Sequence, residues 1–298
     1  VTGVQTCALP ISAQPEGGLL ERLRKQGVAK VGIANAPPFS QLRPDGTMTG
    51  VGPAVAQRVL EKLGVPRLEG AIATYGELIP GMLAGRWDFV AASMTITKER
   101  CGQVLYADPI TFEGPCIITR PDLAEPRPLT IADLAKAPGP IGSLTGGAQY
   151  RELVARGVAM ERISQFENEM TMIDGLLAGR VRYLYVTRIW AADIIRKRQL
   201  KLDMTFPVAD ALTLGASNVF RVQDADFRAA YRKEQAVVRE SGELLRIANQ
   251  FGFEIPQSLA GATAESQCAL TTATSGRSIN LLAGSGNSGT FTTRVPSP

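Results

Sequence analysis

Arg100 stands three residues after Thr97, in Thr97-Lys98-Glu99-Arg100. A threonine there can cap a helix that starts at Lys98, which puts Arg100 on its first turn. A guanidinium is a planar fork that pairs bidentately with a carboxylate. A solvated surface arginine would have the same local sequence, so spacing alone leaves both roles open. Ser93 and Thr95 follow an apolar, strand-like run at 88–92. Strand ends that face the crevice of an α/β sheet are the usual ligand positions; ordinary loop chemistry would look the same. Thr145-Gly146-Gly147-Ala148 follows a second strand-like run and opens a helical one. Backbone N–H groups at a helix start can hold an anion, and glycine lets it come close. A plain β-to-α turn is the alternative.

Much chemistry is excluded. The chain has no histidine, which removes Ser-His-Asp and Cys-His catalysis and the commonest zinc ligand. Its four cysteines, Cys7, Cys101, Cys116 and Cys268, have no C-x-x-C spacing. One disulfide of unspecified pairing or buried free thiols would both fit. No catalytic residue, metal or cofactor is therefore assigned. A net charge of +4 over 298 residues, without a basic stripe, gives no reason to expect nucleic acid as a partner. No run is long and apolar enough for a transmembrane helix.

The elements that must position these residues repeat. Leu-Ala-Gly-Arg occurs at 83–86 and again at 177–180, each time after a helix-like run and before a strand-like one. In each copy a glycine sits where a left-handed helix cap is cheapest. Two such joints predict two similar α/β lobes, and a cleft between lobes is where small molecules bind. Strands are expected at 30–34, 68–74, 88–92, 140–143, 162–166, 183–186 and 212–219. Helices are expected at 51–63, 77–84, 131–135, 148–155, 170–178, 189–198 and along 224–249. The alternation predicts parallel sheets with helices on both faces. The Pro-rich stretch 120–128 reads as the link between lobes. Residues 28–118 with 212–256 would form lobe 1, and 122–208 lobe 2, joined by a two-stranded hinge.

The ends differ from the middle. Residues 1–11 correspond to a coding string that resembles a short-read sequencing adapter, and are expected to be an artefact in place of a lost native signal peptide. Residues 269–298 are rich in Ser, Thr and Gly and are expected to be a disordered tail.

With the whole pattern in view, the chain resembles the periplasmic solute-binding proteins of ABC importers, in the family that binds polar amino acids. Within it the likeness is greatest to the ectoine/hydroxyectoine-binding branch. The residues that carry it are Val31-Gly32-Ile33-Ala34-Asn35-Ala36-Pro37-Pro38-Phe39, Asp45-Gly46-Thr47-Met48-Thr49-Gly50 and Tyr75-Gly76-Glu77-Leu78-Ile79-Pro80-Gly81. Ala84-Gly85-Arg86-Trp87-Asp88, Thr95-Ile96-Thr97-Lys98-Glu99-Arg100 and Ala107-Asp108-Pro109 continue it. Glu240-Ser241-Gly242-Glu243-Leu244-Leu245 and Phe251-Gly252-Phe253 complete it.

The resemblance implies a two-lobed α/β fold of the type II periplasmic-binding-protein kind, closing on a small zwitterionic solute. It implies a monomer in the periplasm, or tethered outside the cell, that docks on the importer's permease in the inner membrane. Arg100 then clamps the solute carboxylate, and Thr145, Gly146 and Ala148 cap it from lobe 2. Ser93 and Thr95 bind from lobe 1, and Phe39 and Tyr75 wall the pocket. Thr187 stands where amino-acid-binding members usually have the aspartate that pairs with an ammonium. An unpaired buried ammonium costs several kcal/mol, so a diffuse cation resting on aromatic faces is expected instead. Ala36 and Thr95 depart from acidic and aromatic positions the branch can carry. A polar amino acid is the alternative ligand. An enzyme on this fold, dehydratase or lytic transglycosylase-like, would need an acid or base in the cleft, and none stands among the matched positions. A sensor domain would need a membrane helix or kinase after residue 268, and neither is seen.

Overall fold

A computed structural model describes residues 18–270. The expectations for 1–11 and for all but the first two residues of 269–298 lie outside the described residues. In chain order the first elements are α1 (Leu19–Gln26), β1 (Val28–Ile33), β2 (Gln41–Leu42), β3 (Met48–Thr49), α2 (Val51–Lys62) and β4 (Arg67–Ile72). They continue with α3 (Tyr75–Leu83), β5 (Phe89–Thr95), α4 (Lys98–Cys101), β6 (Leu105–Tyr106) and β7 (Thr111–Glu113). A second group follows: β8 (Pro115–Thr119), α5 (Ile131–Lys136), β9 (Ile141–Leu144), α6 (Ala148–Ala155), β10 (Ile163–Phe166), α7 (Glu169–Leu177), β11 (Tyr183–Thr187), α8 (Arg188–Lys197) and β12 (Asp203–Thr205). Last come β13 (Leu214–Phe220), α9 (Ala225–Glu240), α10 (Glu243–Gln250) and α11 (Ala264–Ala269).

Two large sheets result, ordered β4-β1-β5-β13-β6, with β7 also on β13, and β10-β9-β11-β8-β12. Each has three parallel strands, as the βα alternation requires. Each then gains antiparallel strands from the segments that cross between them: β13 beside β5, and β8 beside β11. The sheets are mixed, not purely parallel. The chain crosses at Gly114, between β7 in the first sheet and β8 in the second, and returns between β12 and β13. The Pro-rich stretch 120–128 is therefore not the link. Residues 115–119 already pair with β11 and β12, so the stretch lies beyond the crossing. Five consecutive buried residues, Pro115–Thr119, show no alternation because both faces of β8 are covered.

The duplicated joints match in detail. Gly85 has φ +74° and Gly179 has φ +72°. Arg86 N donates to Gly81 O at 2.9 Å, and Arg180 N donates to Gly175 O at 2.9 Å. Each ends a helix with a left-handed residue and turns the chain into a central strand, β5 or β11.

Behind the first sheet, Phe89, Phe220, Phe227 and Tyr231 form an aromatic cluster with ring centroids 5.0–6.3 Å apart. The second sheet buries Ile117, Ile131, Ile141, Leu153, Tyr183 and Tyr185. Cys101 and Cys268 form a disulfide that ties α11 to α4, while Cys116 is free and buried. Arg232 adds salt bridges to Asp108 and Glu265, fixing α11 against α9. No helix among the described residues could cross a membrane.

Candidate functional site

The expected cap forms: Thr97 Oγ1 accepts from Arg100 N at 3.3 Å. Arg100 itself is buried, at 4 % exposure, which excludes the solvated-surface alternative. Its Nη1 donates to Thr95 O on β5 and its Nη2 to Gly146 O, both at 2.8 Å. Thr95 belongs to the first sheet and Gly146 to the turn before α6 in the second half, so one guanidinium joins both sides of the cleft. Thr95 O also accepts from Tyr106 OH at 3.1 Å. A second bridge across the cleft pairs Arg151 of α6 with Glu99 of α4.

Gly146 has φ +71°, and a β-carbon on it would stand 2.7 Å from Gly76 Cα. The two sides touch there through bare backbone. Thr145 is exposed, and its N–H is already donated to Phe166 O. Gly147 and Ala148 are buried at the start of α6. No side chain caps this helix end. Tyr75 sits at the start of α3, with its hydroxyl 3.5 Å from Ala92 O. Burial raises its pKa, and the nearby Glu169 adds to the rise.

Other sequence candidates are placed differently from expectation. Ser93 and Thr95 lie within β5, which runs on through Thr95. Ser93 is left-handed at φ +47°, a conformation few non-glycine residues adopt. Its hydroxyl is engaged with Thr111 Oγ1 at 3.0 Å, so it faces β7. Phe39 is a core residue: its ring packs on Phe253, centroids 5.3 Å apart, in the main hydrophobic cluster. That contact places it in the core. Thr187 is half-buried, ends β11 and is the N-cap residue of α8 without a side-chain cap bond.

Sequence reasoning missed the carboxylates. A cavity of about 140 Å³ between the halves is lined by Thr95 and Ala148 together with Glu113, Gln149, Arg151 and Glu152. Burial pushes the Glu113 carboxyl up to about 7, against the opposing pull of Arg188 and the Ile189 amide. Glu152 is raised by burial too, and accepts from Tyr185 OH at 2.8 Å. On the Tyr75 side, burial pushes Glu169 up to about 7. These residues belong to no motif, and only their burial marks them. No group of residues suited to a metal occurs among the described residues.

The chain belongs to the bacterial extracellular solute-binding proteins, family 3, which matches residues 29–254. Its fold is the two-lobed type II periplasmic-binding-protein fold, as the resemblance implied. A crystal structure of EhuB in complex with hydroxyectoine superposes with a TM-score of 0.80 at 29% identity, covering 85% of this chain and 98% of that one. The probable amino-acid ABC transporter periplasmic-binding protein y4tE of Sinorhizobium fredii is 30% identical over 85% of this chain and 86% of its own length. The L-cystine-binding protein TcyJ of Escherichia coli is 25% identical over 85% and 95%. The chain is thus a solute-binding component of the amino-acid type of ABC importer.

Proposed function

We propose that the chain captures a small zwitterionic solute between its lobes and delivers it to an ABC importer permease in the inner membrane. Ectoine, hydroxyectoine or a related compatible solute is the preferred ligand. The observation that carries this reading is Arg100, buried and shared between Thr95 and Gly146 on opposite walls. A solute carboxylate entering there offers the guanidinium an ionised acceptor with two oxygens, which its planar fork can pair with bidentately. The uncapped start of α6 contributes N–H groups from the second lobe. Tyr75 offers a ring face to a delocalised cation. The likeness to EhuB supports the ectoine class.

We place the protein in the periplasm as a monomeric receptor, not a catalyst, working without a cofactor. The Cys101–Cys268 disulfide fits an oxidising compartment. A polar amino acid is the second reading, and the buried Glu113 and half-buried Glu169 favour it. They supply the negative charge that Thr187 lacks, so an ammonium need not go unpaired.

Calorimetric titration with ectoine, hydroxyectoine, glycine betaine, L-glutamine and L-arginine tests the reading, in the wild type and in Arg100→Ala. The expected result is selective binding of ectoine or hydroxyectoine, weakened about 30-fold or more in the variant, since breaking a buried charge pair costs roughly 2–5 kcal/mol. A loss under about threefold, with the fold intact, would remove Arg100 from the site. Selective binding of an amino acid, with none of ectoine, would leave the family assignment alone standing.

A further inference from the structure

Glu113 is the last residue of β7, one residue before the chain crosses from the first lobe to the second at Gly114. Side chains two apart on a strand share a face. Thr111 and Glu113 therefore point the same way, and Thr111 meets Ser93 at the cleft end of β5. Glu113 is 8 % exposed, and its Oε2 is buried without a hydrogen-bond partner. Such an oxygen is costly unless something donates to it. The Ile189 amide and the Arg188 charge both act on this carboxyl, yet Oε2 stays without a donor: Arg188 lies over the Phe206 ring, 5.0 Å from its centroid. The same carboxylate lines the inter-lobe cavity, whose wall also carries Thr95, the residue whose carbonyl holds Arg100.

We propose that Glu113 is the counter-charge for the cationic end of the solute, and that it selects cations carrying N–H donors. This rests on the reading of the chain as a receptor for a zwitterion. Arg100 and Glu113 then serve the two ends of the solute, with Thr95 between them: its carbonyl accepts from Arg100, and it lines the same cavity as Glu113. An amidinium or a primary ammonium can donate to Oε2. A quaternary ammonium has no proton to give and leaves the oxygen unsatisfied. The site therefore discriminates by hydrogen bonding, which separates ligands more sharply than an aromatic face that accepts any diffuse cation. Around Glu113 stand Arg188 on α8 and Cys116 on β8, and the cavity it lines also carries Glu152 and Arg151 on α6 and Lys98 and Glu99 on α4. Arg188 and the Ile189 amide favour its ionised form, and burial outweighs them. With its carboxyl near 7 in the free protein, pairing with a cation expels the proton it holds at slightly acid pH.

The test is calorimetry of wild type and Glu113→Gln at pH 6.5, in two buffers of different ionisation enthalpy. The probes are ectoine, L-arginine, L-glutamine and glycine betaine. The wild type should bind an N–H-bearing cation, release protons on binding, and take glycine betaine at least tenfold more weakly. Glu113→Gln should bind that same cation at least tenfold more weakly, with the proton release gone and the melting temperature at pH 6.5 not lowered. Equal affinity and equal proton release in the two proteins would overturn the role of Glu113 while leaving the receptor reading intact. A wild type that binds none of the N–H-bearing probes would overturn both. A wild type that prefers glycine betaine would overturn the selectivity.

Discussion

At the residue scale, the proposed site carries charges in places where charge is expensive. Arg100 is buried and donates to two carbonyls, and we propose that a solute carboxylate takes them over. Glu113 keeps one oxygen, Oε2, buried without a donor, and burial raises both Glu113 and Glu169 from 4.5 to about 7. A carboxyl whose folded pKa is raised holds its proton more tightly in the native state. The stability this contributes is fully present below about pH 4.5 and is lost as pH rises through about 7. Glu113→Gln should therefore melt near the wild-type temperature at pH 4.5 and above it at pH 8. The gain between the two is of order 3 kcal/mol at most. Melting curves at the two pH values check this. A variant less stable than wild type at pH 8 by more than at pH 4.5 would mean that the carboxylate is already paired in the free protein.

At the element scale, α4 is the weak member. Four residues make one turn, too short to be stable alone. It is fixed from one end by the Thr97 cap and from the other by the Cys101–Cys268 disulfide, immediately after Arg100. The disulfide links residues 167 positions apart, so its loss frees a long loop in the unfolded chain. Replacing both cysteines by serine should cost about 2–5 kcal/mol. The salt bridges of Arg232 to Asp108 and Glu265 remain, so α11 should loosen without departing. Hydrogen exchange should then quicken at 264–269 and 98–101 while β5 and β13 stay protected. Unchanged exchange in both segments would mean that the salt bridges alone hold α11.

On the scale of the whole molecule, the two lobes meet through backbone. Gly146 and Gly76 touch with no room for a β-carbon, 2.7 Å from Gly76 Cα. Gly146→Ala should therefore oppose closure as well as strain a left-handed residue. Gly85→Ala is the control, having φ +74° but open space around the added carbon. Both variants should lose about 1–2 kcal/mol of stability from the left-handed strain. Gly146→Ala alone should lose ligand affinity, by about tenfold or more, equivalent to roughly 1.4 kcal/mol of closure energy. Equal affinity in the two variants would show that Gly146 does not limit closure.

The sequence alone determined many of the elements and the local turns of the candidate site. Hydrophobic period and caps locate α2, α6, α9 and the strands β1 and β9 to within a few residues, because those signals are local. The paired Leu-Ala-Gly-Arg joints are legible for the same reason: a left-handed cap asks for glycine wherever it occurs. The Thr97 cap that sets Arg100 on the first turn of α4 was legible because a cap is local. The tertiary structure decided what depends on distant partners. The β8 strand was missed because burial on both faces erases alternation, and with it went the crossing at Gly114. The Cys101–Cys268 pairing is set by the packing of α11 on α4, which spacing does not encode. The contact of Phe39 with Phe253 joins residues 214 positions apart, which no local pattern encodes. Glu113 reads as an ordinary acidic residue in a short strand. Only the folding of both lobes around it buries Oε2 without a donor, and an unmet hydrogen bond is a property of the assembled interior, not of any segment.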